Sequence, residues 1–445
     1  MEDNKVNRRK FLKWGMTTGA VASTAGAFSG PVFSGAPMGI QNKENFNAIL
    51  EYVSSLPAFS DHNHHNDDDF FRKPMTLDRA INSTYVGISA RYRTDGTQKA
   101  RQALLDNVRF NSYFHWFEKG LQYVHGIDEP ITMENWEKIS DIIRKAYASD
   151  SDFHWKALKK NGFQKIIIDL SIAPGENHGH DEIFTAAFRI DQLMYGHHAE
   201  VVYYRDLNPW KYFGFGGGTL DDYVRHIQEI IRDRVQSGKV VALKCAEAYR
   251  RDIEFYPDDK VAAQNAFGMH PDRISPEQRR LFSNYMFNRC CEIAAELDIP
   301  LQVHTGLAKL DWSHPMKLLP LIKRHRKTRF VLFHSGYPWT NDTCGLLHNH
   351  PNVIPNLTWT VNTATSEAIR VLHDYIDVAP SINTITWGDD CWIAEESVGT
   401  LLAWQFVVAK VLSDRLSDGR LNVKDAELLA RKLMYENGQN VYLKK

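Results

Sequence analysis

Between residues 58 and 388 the chain repeats one pattern: a short β-rich apolar run, then a longer stretch with apolar residues at helical spacing. Candidate strands fall at 58–64, 164–170, 200–204, 240–244, 300–304, 329–334, 353–357 and 383–388. The clearest helices lie at 220–236, 276–297, 315–326, 365–375 and 395–413. One of them opens Ser275-Pro276-Glu277-Gln278, an N-cap with Pro in the first position and a Gln three residues after the cap. Strands alternating with helices form right-handed βαβ units and a parallel sheet. Eight such strands predict an α/β fold, a (β/α)8 TIM barrel. Residues 70–162 break the rhythm with a helical insertion after the first strand, its best helices at 98–120 and 133–148. It is expected either as a lid or substrate wall over the barrel mouth, or as a packing subdomain. A helix at 423–435 closes the chain.

Composition excludes several partners. Lys+Arg 53 against Asp+Glu 54 leaves a formal charge of −1, with no global attraction to nucleic acid or acidic membranes. Five cysteines are too few and too odd for a disulfide framework, whereas 19 histidines suit metal sites and acid/base chemistry. Near the start, Asn7-Arg8-Arg9-Lys10-Phe11-Leu12-Lys13 precedes a weak apolar stretch from Trp14 to Phe28, and Ala25-Gly26-Ala27 offers a cleavage candidate. The segment resembles a Tat signal. That resemblance implies export through the Tat machinery to the periplasm or beyond, with residues 1–38 as signal and linker and 39–445 as the barrel domain. The apolar run is too short to span a bilayer, and no Cys lies near the cleavage candidate, so no membrane anchor is expected.

Several strand ends carry metal-competent residues. The first reads Asp61-His62-Asn63-His64-His65, and side chains two apart on a strand share a face, so His62 and His64 can reach one ion. The fourth ends at Lys244-Cys245, the fifth at His304-Thr305-Gly306, the sixth at His334-Ser335-Gly336 and the eighth at Gly388-Asp389-Asp390. In a barrel, the carboxyl ends of different strands converge on one mouth. Tyr249 and Arg250 follow the fourth strand; Arg250 either grips an anionic substrate or makes a surface ion pair. Trp339 and Trp392 stand in loops after strands, as a substrate wall or as packing. His178 and His180 lie in a Gly/Asn loop without fixed geometry, and Gly214–Gly218 lacks the Lys-Ser/Thr ending of a phosphate loop.

These motifs resemble the metal-dependent amidohydrolase superfamily, and within it the amidohydrolase-2 branch, which includes decarboxylases. The resemblance is densest over 277–442, through Gln302-Val303-His304-Thr305-Gly306, Phe333-His334-Ser335-Gly336-Tyr337-Pro338-Trp339 and Trp387-Gly388-Asp389-Asp390-Cys391-Trp392. It implies metal ligation by His62, His64, His304 and Asp389. Asp389 would also serve as base, and His334 as a substrate-polarising acid or second-metal ligand. It implies one or two divalent ions, zinc first, with manganese or another as alternatives. The family's Asp two residues before the first His is replaced by Ser60; aligning on Asp61 instead makes Asn63 and His65 the pair. Lys244 has three readings: a carboxylated bridge between two metals, a cation for a substrate carboxylate, or a plain strand end.

The expected activity is an exported hydrolase cleaving a C–N or C–O bond in a small anionic molecule. Water is activated by the metal, Asp389 takes its proton, and His334 stabilises the oxyanion. A non-oxidative decarboxylase and an acid-sugar isomerase are the enzymatic alternatives; a metal-containing binding protein is the non-enzymatic one. A homo-oligomer is compatible with the sequence.

Overall fold

The computed structural model describes residues 38–89 and 93–443. The twin-arginine segment lies outside the described residues. Seven strands form one parallel sheet in sequence order. They are β1 (Ala58–Asn63), β2 (Phe163–Ile168), β3 (Phe184–Arg189), β4 (Val240–Cys245), β5 (Leu301–Val303), β6 (Phe330–Leu332) and β7 (Val353–Pro355). The expected eighth strand is reduced to a single parallel bridge, Thr386 with Asn356. It nevertheless closes the ring. Asp61 N–H donates to Trp387 O at 3.0 Å, Asp390 N–H to His62 O at 2.9 Å and His64 N–H to Cys391 O at 2.9 Å, stitching this segment to β1.

One expected strand is corrected. Residues 200–204 form a loop, and the third strand is Phe184–Arg189. Val201-Val202-Tyr203-Tyr204 has the β-branched and aromatic content of a strand, but Val202 is 60% exposed. The true strand is buried at every position, and its Ala186-Ala187 centre carries little strand signal. Strand propensity reports fit to a pleated, packed surface more than an intrinsic backbone preference.

The barrel interior is layered. Phe59, Ile167, Ala187, Ala242, Val331 and Ile354, from six different strands, share one apolar cluster with Val441 and Tyr442. Two residues further along those strands, on the same face, stand Asp61, Asp169, Arg189, Lys244, Phe333 and Asn356. The floor is apolar and the layer above it mostly polar, and that change of chemistry positions the site.

The helices that shape the site are α1 (Ser112–His125), α2 (Phe153–Lys160), α3 (Pro276–Glu296), α4 (Ala394–Ser417) and α5 (Asn437–Tyr442). The capping box of Ser275 and Gln278 starts α3 as expected. The insertion helix expected over 98–120 divides, because the Asn111 side chain accepts from Phe114 N–H and starts α1 anew. The C-terminal helix expected over 423–435 runs as Val423–Arg431, a π-turn at Lys432–Glu436, then α5. That last helix plugs the barrel floor with Val441 and Tyr442.

Candidate metal centre

The pairing of β1 with β2 slips between Ser60 and Asn63, and such an irregularity re-aims side chains. Asp61 faces inward by the strand's alternation, accepting from Thr358 Oγ1 at 2.8 Å and Asn356 Nδ2 at 2.8 Å, and past the slip His62 faces the interior as well, its ring 4.7 Å from that of Phe333. His64 follows on the same side as His62, their Nε2 atoms 3.2 Å apart. Both point at one atom. Asp390 Oδ1 stands 3.3 Å from His62 Nε2 and 3.2 Å from His64 Nε2. Ligand atoms from the three residues all lie within 4.8 Å of one another.

The donor chemistry of this trio fits a divalent cation. His64 Nδ1 lies 2.9 Å from Asp169 O, a carbonyl that can only accept, so Nδ1 carries the proton. A neutral His64 then presents a lone pair at Nε2. Asp390 Oδ1 is buried with no hydrogen-bond donor. Burial, reinforced by Lys244, holds the pKa of His62 well below its ordinary value. For His64 burial acts in the same direction, but the Asp390 carboxylate outweighs it and the pKa rises. The carboxylate favours positive charge at this point.

Asp389, the expected carboxylate, is placed elsewhere. Its Oδ1 accepts a short bond from Ser60 Oγ, and its Oδ2 accepts from Ser397 Oγ at 2.5 Å. Asp390 takes the position among the histidines instead, because its backbone is left-handed, φ +58. A strand's two-residue parity does not survive such a turn. Among the two pairings weighed for β1, His62 with His64 converges here, while His65 turns to His154 and Ser397.

The amidohydrolase family profile matches residues 148–437. The chain belongs to this family. It is 23% identical over 241 residues to Protein fluG of Emericella nidulans, a match that spans 50% of this chain and only 28% of that protein. Among solved structures it resembles a uronate isomerase of Thermotoga maritima, with TM-score 0.70 and 16% identity over 90% of this chain and 97% of the other. It also resembles a Lactobacillus casei structure described as a metal-dependent hydrolase, with TM-score 0.64 and 18% identity over 89% and 97%. Likeness at these identities establishes the fold, an α/β barrel built on a parallel sheet.

Within this amidohydrolase barrel, His304, the ligand expected from the fifth strand, stands outside the trio. It pairs with His334, whose Nε2 lies 2.9 Å from His304 Nδ1. The outer nitrogens face carbonyls: His304 Nε2 is 3.0 Å from Leu307 O and His334 Nδ1 is 3.0 Å from Thr358 O. Filling all three links takes one proton more than two neutral rings carry. Burial pushes both pKa values well down, so one link keeps an unfilled lone pair. This places the pair beside the trio, with His334 Nδ1 3.9 Å from Asp390 Oδ2.

Lys244 is buried, its Nζ 3.7 Å over the Phe333 ring and without a hydrogen-bond partner; burial pushes its pKa down to about 8. Trp392 stacks on His64 at 5.7 Å, and the Tyr249 ring is 4.6 Å from His304. Arg250 is exposed and lies over Tyr203 at 4.3 Å. Trp339 packs on His314 at 4.5 Å, apart from the trio. His178 and His180 hold the segment that follows β1, bonding His65 O and Asp68 Oδ1.

Sequence reasoning preferred Asp389 to its neighbour Asp390 and missed Asp169, Arg189, Tyr85 and Trp359. Asp169, ending the run Ile166-Ile167-Ile168, was a readable strand-end signal. Arg189, buried between Asp169 and Asp191, went unseen because its strand was misplaced. Tyr85, from the insertion, meets Trp392 at 4.7 Å and Trp359 at 4.9 Å, and nothing local in the sequence announces those contacts.

Proposed function

We propose that this chain is a metal-dependent hydrolase acting on a small anionic substrate. The observation that carries the reading is the convergence of two imidazole nitrogens, His62 buried and His64 half-buried, on one undonated Asp390 oxygen at the carboxyl ends of the barrel strands. A divalent cation, zinc first, would supply Lewis acidity toward a carbonyl oxygen and make water more acidic there. His62, His64 and Asp390 would hold it. Asp390 takes the proton of the attacking water as its oxygen adds to the carbonyl carbon. The proton then passes to the leaving nitrogen or oxygen as the C–N or C–O bond breaks. The His304–His334 pair faces the developing oxyanion and moves its own proton to meet it. Lys244 receives a substrate carboxylate, its amine being buried without a partner; carboxylated, it would instead bridge two metals. Tyr249 and Trp392 form the wall.

Acid-sugar isomerisation is the second reading, supported by the likeness to the uronate isomerase over nearly the whole of both chains. There the same acid/base groups move a proton between neighbouring carbons and water is not consumed. Two measurements test the readings. Metal per chain after purification without chelator is expected near one equivalent of zinc, and near two if Lys244 bridges. Turnover of an amide, ester, lactone and uronic-acid panel in H2(18)O and D2O separates the reactions. A hydrolase places one (18)O in the acid product, an isomerase places deuterium on carbon with no (18)O, and a decarboxylase releases CO2. Absence of metal after attempted loading would overturn both readings.

The reading includes export, supported by Asn7 to Lys13 alone. Replacing Arg8 and Arg9 by Lys should leave the protein in the cytosolic fraction.

A further inference from the structure

A second polar construction lies behind the candidate metal centre, and it runs into the insertion. Ala394 N–H, in the first turn of α4, points at His154 Nδ1 at 3.3 Å. His154 Nε2 lies 2.6 Å from His65 Nδ1, and His65 Nε2 lies 2.9 Å from Ser397 Oγ. Ser397 Oγ reaches Asp389 Oδ2 at 2.5 Å. Every side chain in this line is buried to 1% exposure or less.

The proton positions follow from the two ends. A backbone N–H can only donate, so Nδ1 of His154 accepts and its proton sits on Nε2. That N–H donates to His65 Nδ1, which leaves the His65 proton on Nε2. It donates in turn to Ser397 Oγ, whose own hydrogen goes to the carboxylate. The whole line is filled with two neutral rings, with no spare lone pair and no spare proton. Burial lowers the pKa of both His65 and His154, in keeping with neutral rings. At the far end, Ser60 Oγ clasps the other carboxylate oxygen and Asp389 N–H returns to Ser60 Oγ at 3.0 Å. The next residue is Asp390, held left-handed at φ +58 with its N–H on His62 O at 2.9 Å. Non-glycine residues rarely adopt this backbone, and the surroundings must impose it.

We infer that the relay His154–His65–Ser397–Asp389 is a positioning device: it anchors the carboxylate of Asp389 so that the adjoining strained peptide aims Asp390 between His62 and His64. His154 belongs to α2, within the insertion, so the insertion sets the geometry of the centre from behind, besides lining its mouth. The inference rests on the trio being a metal site.

Titration of the full chain with Co2+, followed by its visible d–d absorption and by calorimetry, tests it. Wild type is expected to bind one Co2+ at the trio, and His62→Ala to lose it. His154→Phe keeps the ring stacked on Phe71, whose centroid is 3.7 Å away, but removes both hydrogen bonds. Its Kd for Co2+ should rise about 10–100-fold, the usual effect of an outer hydrogen-bond partner, with an altered d–d band and a metal-free melting temperature close to wild type. His154→Gln, which keeps an N–H for His65, should recover most of the affinity. Ser397→Ala, a small truncation, should reproduce the loss and decides the matter if His154→Phe does not fold. Wild-type Kd and band shape in His154→Phe or in Ser397→Ala would overturn the inference and leave the metal centre standing. Failure of wild type to bind Co2+ would instead overturn the metal-centre reading, and this inference with it.

Discussion

Asp389 and Asp390 are neighbours with different surroundings. Asp389 is wholly enclosed, accepting from Ser60 and Ser397, while Asp390 offers Oδ1 to His62 and His64 with no donor of its own. A carboxylate in the second situation is where a cation gains most, because no hydrogen bond must be given up to bind it. Asp390→Asn is therefore expected to lose more zinc on dialysis than Asp389→Asn, whose effect passes through a neighbour and amounts to about 10–100-fold in affinity. Metal analysis of the two variants side by side checks this; the reverse order would return the ligand role to Asp389. His62 and His64 were legible from two-residue parity. The choice between the aspartates was not, since a slipped β1 register and a left-handed Asp390 both break the parity from which it was read.

At the scale of elements, the insertion and the barrel meet where α1 crosses α4. A Cβ on Gly399 would lie 2.1 Å from Trp116 O, and one on Gly120 would lie 2.0 Å from Glu395 O. The two backbones touch, and only hydrogen fits between them. Gly399→Ala must push α1 outward, which overpacking precedents put at about 1–3 kcal/mol. Its urea midpoint should fall accordingly; an unchanged midpoint would mean that this crossing yields freely. Because α4 also carries Glu396 and Ser397, the helix that packs the insertion is the helix that holds the site's supports. Its apolar periodicity was readable over 395–413, as was that of the helix at 220–236. The partner of α4 was not, for the glycine pair is far apart in sequence and each residue alone is unremarkable.

Across the whole molecule, buried acids make stability depend on pH. Glu396 accepts from Tyr85 N–H at 2.7 Å and Trp392 N–H at 3.2 Å, joining the insertion to the loop after the eighth strand segment. Burial pushes its pKa up to about 8 from an ordinary 4.5. Between those values the unfolded chain releases a proton that the folded chain keeps, so rising pH favours unfolding. The contribution is full below pH 4.5 and lost by about pH 8. Glu396→Gln cannot titrate, so its melting temperature should fall less than that of wild type between pH 5 and pH 8; parallel curves would show the group ionised in the fold. The amino-acid sequence by itself determined the βαβ alternation, the barrel that follows from it, the His62–His64 pair and the family motifs, because periodicity and strand-end placement are local properties. Tertiary structure alone decided that the third strand is Phe184–Arg189, that Asp390 faces the histidines, that α5 fills the floor, and that Tyr85 and His154 reach the site. Each of these depends on burial and hydrogen bonding between segments far apart in the chain, and no window of sequence contains both partners.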